Sequence, residues 1–583
     1  MCSMICIFSG NANGLICRRG VIYGFVPYTF KSPSWARAAN AFLYSPFAPR
    51  GARMENYLAG LDREVDVDDV RFLCSFAIAA LADYITAVFN QNFSLIRYAE
   101  SLTVDTSSFA QIEQKIESPV MKTFFLPVIE SLLQSQFVTS AEKLLILISV
   151  PFAGTFVPAL YCSKILKKAF GKKAFICLGG GFINTELRQA DDISLSKYID
   201  AISYDRGYGS YKVLLKKNPF SKEFENLNES FYKLRLFKKD KVIEPLWNDK
   251  EIQKFEDDFT VENVPDFSDI DFSRYPRLCD DKNPMHRMWS DGTWIKAYLA
   301  HGCYWHKCAF CDTKLDYVCS YKITDVEKLY NGLYQTAVQK GVYGIHFVDE
   351  ALPPKSLKEF ALLNAKNQNK LYFWGNIRFE KSFTKDFAAF LSYCGFGSVS
   401  AGIENATSGG LQSINKGIDV SSIVKACAAF KESGILVHAY MIYGFWNDTA
   451  QSIIDSMETL RQFFSAGLLD SAFWHKFVLT RNSTVYSDTT YITANPTYKI
   501  ASNSNMSFWL SPYKTDNSTN YPMFYGWCGN IEGYGAAAMR YTESRMSLAR
   551  SKSFLTPYPL KYKSKILYPA STLTESSPIQ KAL

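Results

Sequence analysis

Apolar residues fall into two regular regions of the chain. In the first, the runs at 144–151 (LLILISVP), 174–178 and 201–204 are continuous rather than alternating, as in strands covered on both faces. Residues 163–170, between the first two runs, have helical spacing. In the second, six strand-like segments recur at 295–300, 344–348, 372–379, 397–403, 436–443 and 472–479, with helix-period stretches such as 326–339 and 453–464 between them. Alternation of this kind predicts an α/β protein: a Rossmann-like parallel-sheet domain, then a partial (β/α)6 barrel and a C-terminal extension. In such a barrel the chemistry sits at the carboxyl ends of the strands.

The intervening stretches lack a sustained period. The expected division is an N-terminal extension at 1–64, a first domain at 65–215, a charged linker at 216–290, the barrel at 291–485 and an extension covering it at 486–583. A helical stretch at 536–551 is the one element expected in that last part.

At 583 residues, 48% hydrophobic and 15% aromatic, the chain has material for several cores, which excludes a disordered protein or a small disulfide-stapled module. A net charge of +8 is too modest to argue for a polyanionic partner, and no stripe of Arg or Lys interleaved with aromatics favours nucleic acid. No apolar run reaches the roughly 18 residues of a membrane span, so the apolar segments at 72–88 and 144–160 read as core. The N-terminus has no basic residues ahead of its apolar ones and makes a poor signal peptide, which places the protein in the cytoplasm.

Most of the 14 cysteines are scattered, and Cys74, Cys162, Cys177, Cys394 and Cys427 read as small buried apolar residues. The exception is AHGCYWHKCAFCD at 300–312, directly after the first barrel strand, where Cys303-x4-Cys308-x2-Cys311 is followed by Cys319. Three thiolates this close can hold three irons of a [4Fe-4S] cluster and leave the fourth iron open. A zinc site completed by His301 or His306 is an alternative, and unrelated buried cysteines another.

This segment resembles the radical S-adenosylmethionine enzymes, in particular the group with a cobalamin-binding-like domain before the radical domain. That family usually shows Cys-x3-Cys-x2-Cys with an aromatic residue before the last cysteine, which Phe310 matches; the extra residue between Cys303 and Cys308 is a departure. The resemblance implies that the cluster's open iron chelates S-adenosylmethionine. Reductive cleavage then gives a 5′-deoxyadenosyl radical, with flavodoxin or ferredoxin as electron donor. It also suggests site residues at the other strand ends. Asp349 and Glu350 stand where the family has a Gly-Gly-Glu-like turn, without its glycines. Asn376 and Arg378 share a face of the third strand, and Arg378 either binds a carboxylate or closes an internal salt bridge. Glu404 ends the fourth strand as a candidate for the ribose or substrate. His438 and Tyr440 lie on the fifth with Gly444 at its end, and His475 on the sixth is either a core group or a catalyst.

All six histidines fall between 286 and 475, so the first domain cannot carry the family's cobalt-ligating histidine loop. What remains there is Ser149 and Pro151 after one strand and Gly179, Gly180 and Gly181 after the next, either a cradle for a bulky ligand or tight turns. If cobalamin binds, the resemblance implies a form without a protein ligand to cobalt, and methylation of an unactivated carbon of a small metabolite or peptide. The competing readings are a cobalamin-free radical enzyme catalysing cyclisation, epimerisation or rearrangement, and a non-catalytic metal-binding protein.

Overall fold

The computed structural model describes residues 2–11, 14–23, 58–60, 64, 109–119, 121–134, 141–275 except 227, 293–480 except 478, and 482–488. Among the expectations above, the segment at 72–88, Cys74, His286 and the helix at 536–551 lie outside these residues.

Strands β1 (Cys2–Asn11) and β2 (Gly14–Tyr23) form an antiparallel hairpin in which Asn11 pairs with Gly14. Its β1 then pairs antiparallel with β3 (Lys143–Ser149). From β3 the chain passes through α1 (Phe156–Phe170) to β4 (Ala174–Gly179), and later to β5 (Ala201–Ser203); these three strands are parallel. After α2 (Tyr208–Lys217) come β6 (Leu234–Phe237) and β7 (Val242–Ile243), both antiparallel, and then α3 (Lys250–Glu262). The sheet order is β2-β1-β3-β4-β5-β6-β7.

Three sequence expectations need correction. The first sheet is mixed: only β3, β4 and β5 are parallel, with antiparallel strands on both flanks. The stretch read as a linker supplies β6, β7 and α3, and the stretch read as an irregular N-terminal extension supplies the hairpin. Strands of four and two residues are too short to show a period, which is why the charged stretch hid them.

The second sheet begins with β8 (Trp294–Ala297). A small pairing of β9 (Ala300–His301) with β10 (Lys322–Ile323) brackets the cysteine segment. Then α4 (Val326–Lys340), β11 (Gly344–Phe347), α5 (Pro354–Lys366), β12 (Tyr372–Ile377), α6 (Lys385–Tyr393), β13 (Phe396–Glu404), α7 (Val420–Glu432), β14 (Leu436–Tyr443), α8 (Ala450–Ser465) and β15 (Ser471–Lys476) alternate. The six long strands are all parallel and pair in chain order, β8-β11-β12-β13-β14-β15. Four helices start where the sequence supplies a cap: the side chains of Asp325, Thr384, Asp419 and Thr449 accept backbone N–H bonds from Lys328, Phe387, Ser422 and Ser452. Each such cap contributes about 1 kcal/mol.

Alternate strand residues such as Ile295, Ile345, Phe373, Val399, Val437 and Ala472 pack with Leu333, Phe360, Phe430 and Phe463 of the helices into one large core. The other strand face is therefore turned away from these helices. It carries Lys296, His346, Trp374, Asn376, Ser400, His438, Tyr440 and His475, a polar and aromatic set unlike the apolar side. Among the described residues no helix is long and apolar enough to cross a membrane.

Candidate functional site

The cysteine segment is a loop closed at its base by β9 and β10 and by the Cys303 N–H donating to the Val318 carbonyl (2.9 Å). Gly302 turns the chain into it with φ of +76°, and a Cβ there would meet the Ser320 carbonyl at 2.7 Å, so only glycine fits. The extra residue in the spacing is taken up at His306, which has φ of +36° and whose Nδ1 meets the Cys303 carbonyl at 2.9 Å. Trp305 holds the bulge down: its Nε1–H donates to the Asn415 carbonyl (3.0 Å), and Asn415 donates to the Lys307 carbonyl (2.8 Å).

Cys308 is buried, and Cys303 and Cys311 are half-buried. Burial pushes the Cys308 thiol up, while the charges of Lys416 and Arg378 pull the other way. Cys311 is raised by burial and by the neighbouring Cys308, Asp312 and Glu350. Three thiolates here need nearby cations, and two are in place. The Lys416 ammonium is buried and paired with Glu404 at 2.8 Å; the Arg378 guanidinium lies 3.9 Å from the Cys308 sulfur. Neither histidine is poised as a zinc ligand: His301 Nε2 bonds Asp316 (2.8 Å), and His306 is tied to the loop backbone. Among the described residues, no three His, Cys, Asp or Glu side chains converge on a single ion. Cysteines serving different irons of a cluster need only line one hollow.

Several residues expected to face a ligand have their polar groups committed within the protein. Asp349 accepts the backbone N–H groups of Leu299 and Ala300 (2.8–3.1 Å), fixing the start of the cysteine loop, although burial pushes its carboxyl up to about 7. Asn376 donates to the Asp349 carbonyl (3.1 Å) and accepts from Ser400. Glu404, at φ of +65° after a bulge in β13, is held by Lys416. The Gly444 N–H donates to Asp448 (2.8 Å). Phe310 packs at 5.6 Å on Phe445, beside a buried cluster of Ala309, Ile414, Trp446 and Phe477. Glu350 differs: its side chain reaches solvent and no hydrogen bond from the described residues engages its carboxyl, which burial raises, the His301 charge lowers and Asp312 raises further.

For Arg378 the structure favours the internal pairing. Its Nε donates to Glu380 (2.9 Å), its Nη2 to the Lys416 carbonyl (2.5 Å), and its guanidinium lies 4.7 Å from the Trp305 ring centre. The planar fork thus ties β12, the Lys416 segment and the bulged loop together. We expect Arg378→Lys to speed loss of iron to a chelator by about tenfold or more with the KM for S-adenosylmethionine unchanged. A KM change with normal iron retention would return Arg378 to ligand binding.

On the face away from the helices, His438 Nδ1 meets Ser471 Oγ at 2.8 Å, and its ring lies edge-on to Tyr440 at 4.7 Å. His475 stands 6.0 Å from Tyr440 and 4.6 Å from Phe473, its pKa lowered by burial despite Glu404 nearby. Ser149, Pro151 and Gly179–Gly181 belong to the other sheet. There the Val150 N–H donates to the Gly179 carbonyl (2.7 Å), and a Cβ on Gly180 (φ +107°) would strike the Val150 backbone at 2.8–2.9 Å. Gly180 is thus required by loop-on-loop packing.

The two sheets meet through residues that sequence reading missed. Asp205 and Arg206 follow β5, and Asp316 follows the cysteine loop. Lys233 reaches Asp205 (3.0 Å), Glu256 (3.0 Å) and Asp316 (3.4 Å), while Arg206 reaches Asp316 (3.2 Å) and Asp257 (2.9 Å). Burial alone would raise Asp316, but His301, Lys233 and Arg206 hold its carboxyl well below the usual range. The carboxyl edge of the parallel strands β3–β5 is thereby set toward the cysteine loop.

No protein-family model matches the chain, and no curated protein does. Solved structures do resemble it. The radical S-adenosylmethionine methyltransferase TsrM from Kitasatospora setae, with cobalamin and a [4Fe-4S] cluster bound, is 14% identical at a TM-score of 0.49, over 72% of this chain and 81% of that one. The cobalamin-dependent radical enzyme OxsB, with aqua-cobalamin and S-adenosylmethionine bound, is 13% identical at 0.49, over 78% of this chain and 63% of that one. These structural neighbours are cobalamin-dependent radical S-adenosylmethionine enzymes. At such identity the chemistry has to come from this chain's own residues.

Proposed function

We propose that this protein is a radical S-adenosylmethionine enzyme, with Cys303, Cys308 and Cys311 as the protein ligands of a [4Fe-4S] cluster. The observation that carries this reading is the cysteine loop at the carboxyl end of the first strand of a six-stranded, sequentially ordered parallel sheet, with Lys416 and Arg378 as cations beside it. The donor set fits the cluster: three thiols in a short span, neither His301 nor His306 directed at them as a fourth ligand, and Lys416 and Arg378 beside them. When bound, the cluster supplies one electron to S-adenosylmethionine, and cobalamin supplies a methyl group. This chain's residues hold the loop in shape through Asp349, Trp305 and Arg378, and leave Glu350 free for the amino group of a bound ligand. We read the second sheet with its helices as a partial (β/α)6 barrel within 291–485, and the first sheet, with the flanking strands that the bounds 65–215 left out, as the cobalamin-binding unit.

Cobalamin fits the first sheet only in a form without a protein ligand to cobalt, since no histidine precedes residue 286. Ser149, Pro151 and the backbone of Gly179–Gly181 would hold it, with Phe152, 54% exposed, offering apolar surface on the same edge. The activity proposed is methylation of an unactivated carbon of a small metabolite or peptide in the cytoplasm, with flavodoxin or ferredoxin as electron donor. One observation favours a cobalamin-free rearranging enzyme instead: contact between loops already accounts for Gly180. Metal analysis of anaerobically purified protein made with cobalamin supplied tests both. About four irons per chain with stoichiometric cobalt supports the methyltransferase; iron without cobalt selects the second reading; zinc alone overturns both.

A further inference from the structure

The sheet face away from the helices holds a cation that the radical chemistry leaves unused. Lys296 on β8 pairs in register with His346 on β11, and His346 pairs with Trp374 on β12. The imidazole lies flat on the Trp374 ring, with centroids 3.6 Å apart and planes 5° apart, and the Trp294 ring stands edge-on to Trp374 at 6.2 Å. The Lys296 ammonium is in hydrogen-bond contact with His346 Nδ1. Among the described residues no carboxylate pairs with Lys296, whereas Lys416 has Glu404, Lys431 has Asp470 and Lys167 has Asp200.

The side chain nevertheless reaches solvent. Surrounding protein pushes its pKa down to about 8, and burial together with the Lys296 charge pushes that of His346 down to about 3, so the ammonium is partly desolvated with no paired carboxylate to offset the loss. An ammonium so placed gains most from an anion that arrives with a bound molecule, because the attraction is strongest where water is thinnest. The walls set the rest of that molecule: one face is Trp374 under His346, and the neighbouring row of Asn376, Ser400 and His438 has polar groups already engaged with one another or with Ser471. The other cation on this face, Arg378, is committed to Glu380 and the Lys416 carbonyl, which leaves Lys296 for an incoming anion, and a carboxylate asks fewer donors of a single ammonium than a phosphate does.

We propose that Lys296 anchors the carboxylate of a substrate whose planar apolar part lies against the Trp374–His346 stack. The inference rests on the radical-enzyme reading only in calling that molecule the substrate. Both a free aromatic acid and the C-terminal carboxylate of a peptide carry this chemistry.

Calorimetric titration of the full-length holoprotein tests it, with 2-naphthoate against its neutral isostere 2-naphthamide, and Gly-Gly-Phe against its C-terminal amide. The expected result is that one acid binds at least about tenfold tighter than its amide; whichever acid shows this names the source. Lys296→Met should abolish the preference, and Lys296→Arg should keep most of it. Equal binding of acid and amide in the unmodified protein, or binding of neither acid, overturns the proposal without recourse to any variant. Iron content, measured on the same samples, reports separately on the cluster: zinc in place of iron with the acid preference intact would sink the radical reading and leave the anion site standing.

Discussion

Cys308→Ala should reduce iron from about four per chain to near none and abolish S-adenosylmethionine cleavage. Cys308 is the buried member of the three and the one that faces both Lys416 and Arg378. Removing its thiol takes away one of the three proposed ligands, while Lys416 and Arg378 keep their partners Glu404 and Glu380, so the loss should fall on the metal site rather than on the fold. Iron quantitation, the visible absorption of the anaerobic protein and product chromatography read the outcome directly. Cys319→Ala is the control: Cys319 is exposed and outside the x4/x2 spacing, so it should retain iron and cleavage. Full cleavage by Cys308→Ala would end the assignment of the loop.

Lys233→Met should cost about 3–5 kcal/mol of stability, because it leaves Asp205, Glu256 and Asp316 facing one another without their shared cation in a site at most 9% exposed. Arg206 remains and engages two of the three, which places the expected loss toward the lower end. The comparison is Lys328→Met, whose partner Glu262 is 3.5 Å away but where both side chains are at least half exposed, so the loss should stay below about 0.5 kcal/mol. Denaturant unfolding followed by tryptophan fluorescence measures both. A loss under about 1 kcal/mol for Lys233→Met would mean that the network is solvated and does not fasten the first sheet to the cysteine loop. The sign with pH follows from Asp316: its carboxyl is depressed in the folded protein, so its contribution is complete above the unfolded value near 4 and fades only as acid takes the pH below that.

The parts legible in the sequence were those with a repeating signature. The six strands of the second sheet are visible because one face must be apolar at every second position to meet the helices, and the caps Asp325, Thr384, Asp419 and Thr449 are local. The cysteine loop is legible because its three thiols fall within nine residues of the chain, 303–311. Lys416 is not legible: it lies 108 residues after Cys308 and meets it only because β13 and the segment after it return over the loop. Asp316, Arg206 and Lys233 are likewise ordinary surface-type residues until the two sheets bury them together. Asp349 and Asn376 were expected to bind a cofactor; the backbone groups that engage them instead are visible only in three dimensions. The N-terminal hairpin was missed although an Asn-Ala-Asn-Gly turn separates its two apolar runs.

That hairpin also sets an order of events. In the second sheet every strand pairs with the one made just before it, so each addition closes a short loop, whereas β1 must wait for β3 more than a hundred residues later. Closing so long a span is entropically late and slow. At translation rates of about 5–20 residues per second, residues 2–23 emerge roughly 6–25 s before their partner strand. A nascent chain thus carries an unsatisfied strand edge during that interval, and the N-terminus is where misassembly and chaperone engagement should concentrate.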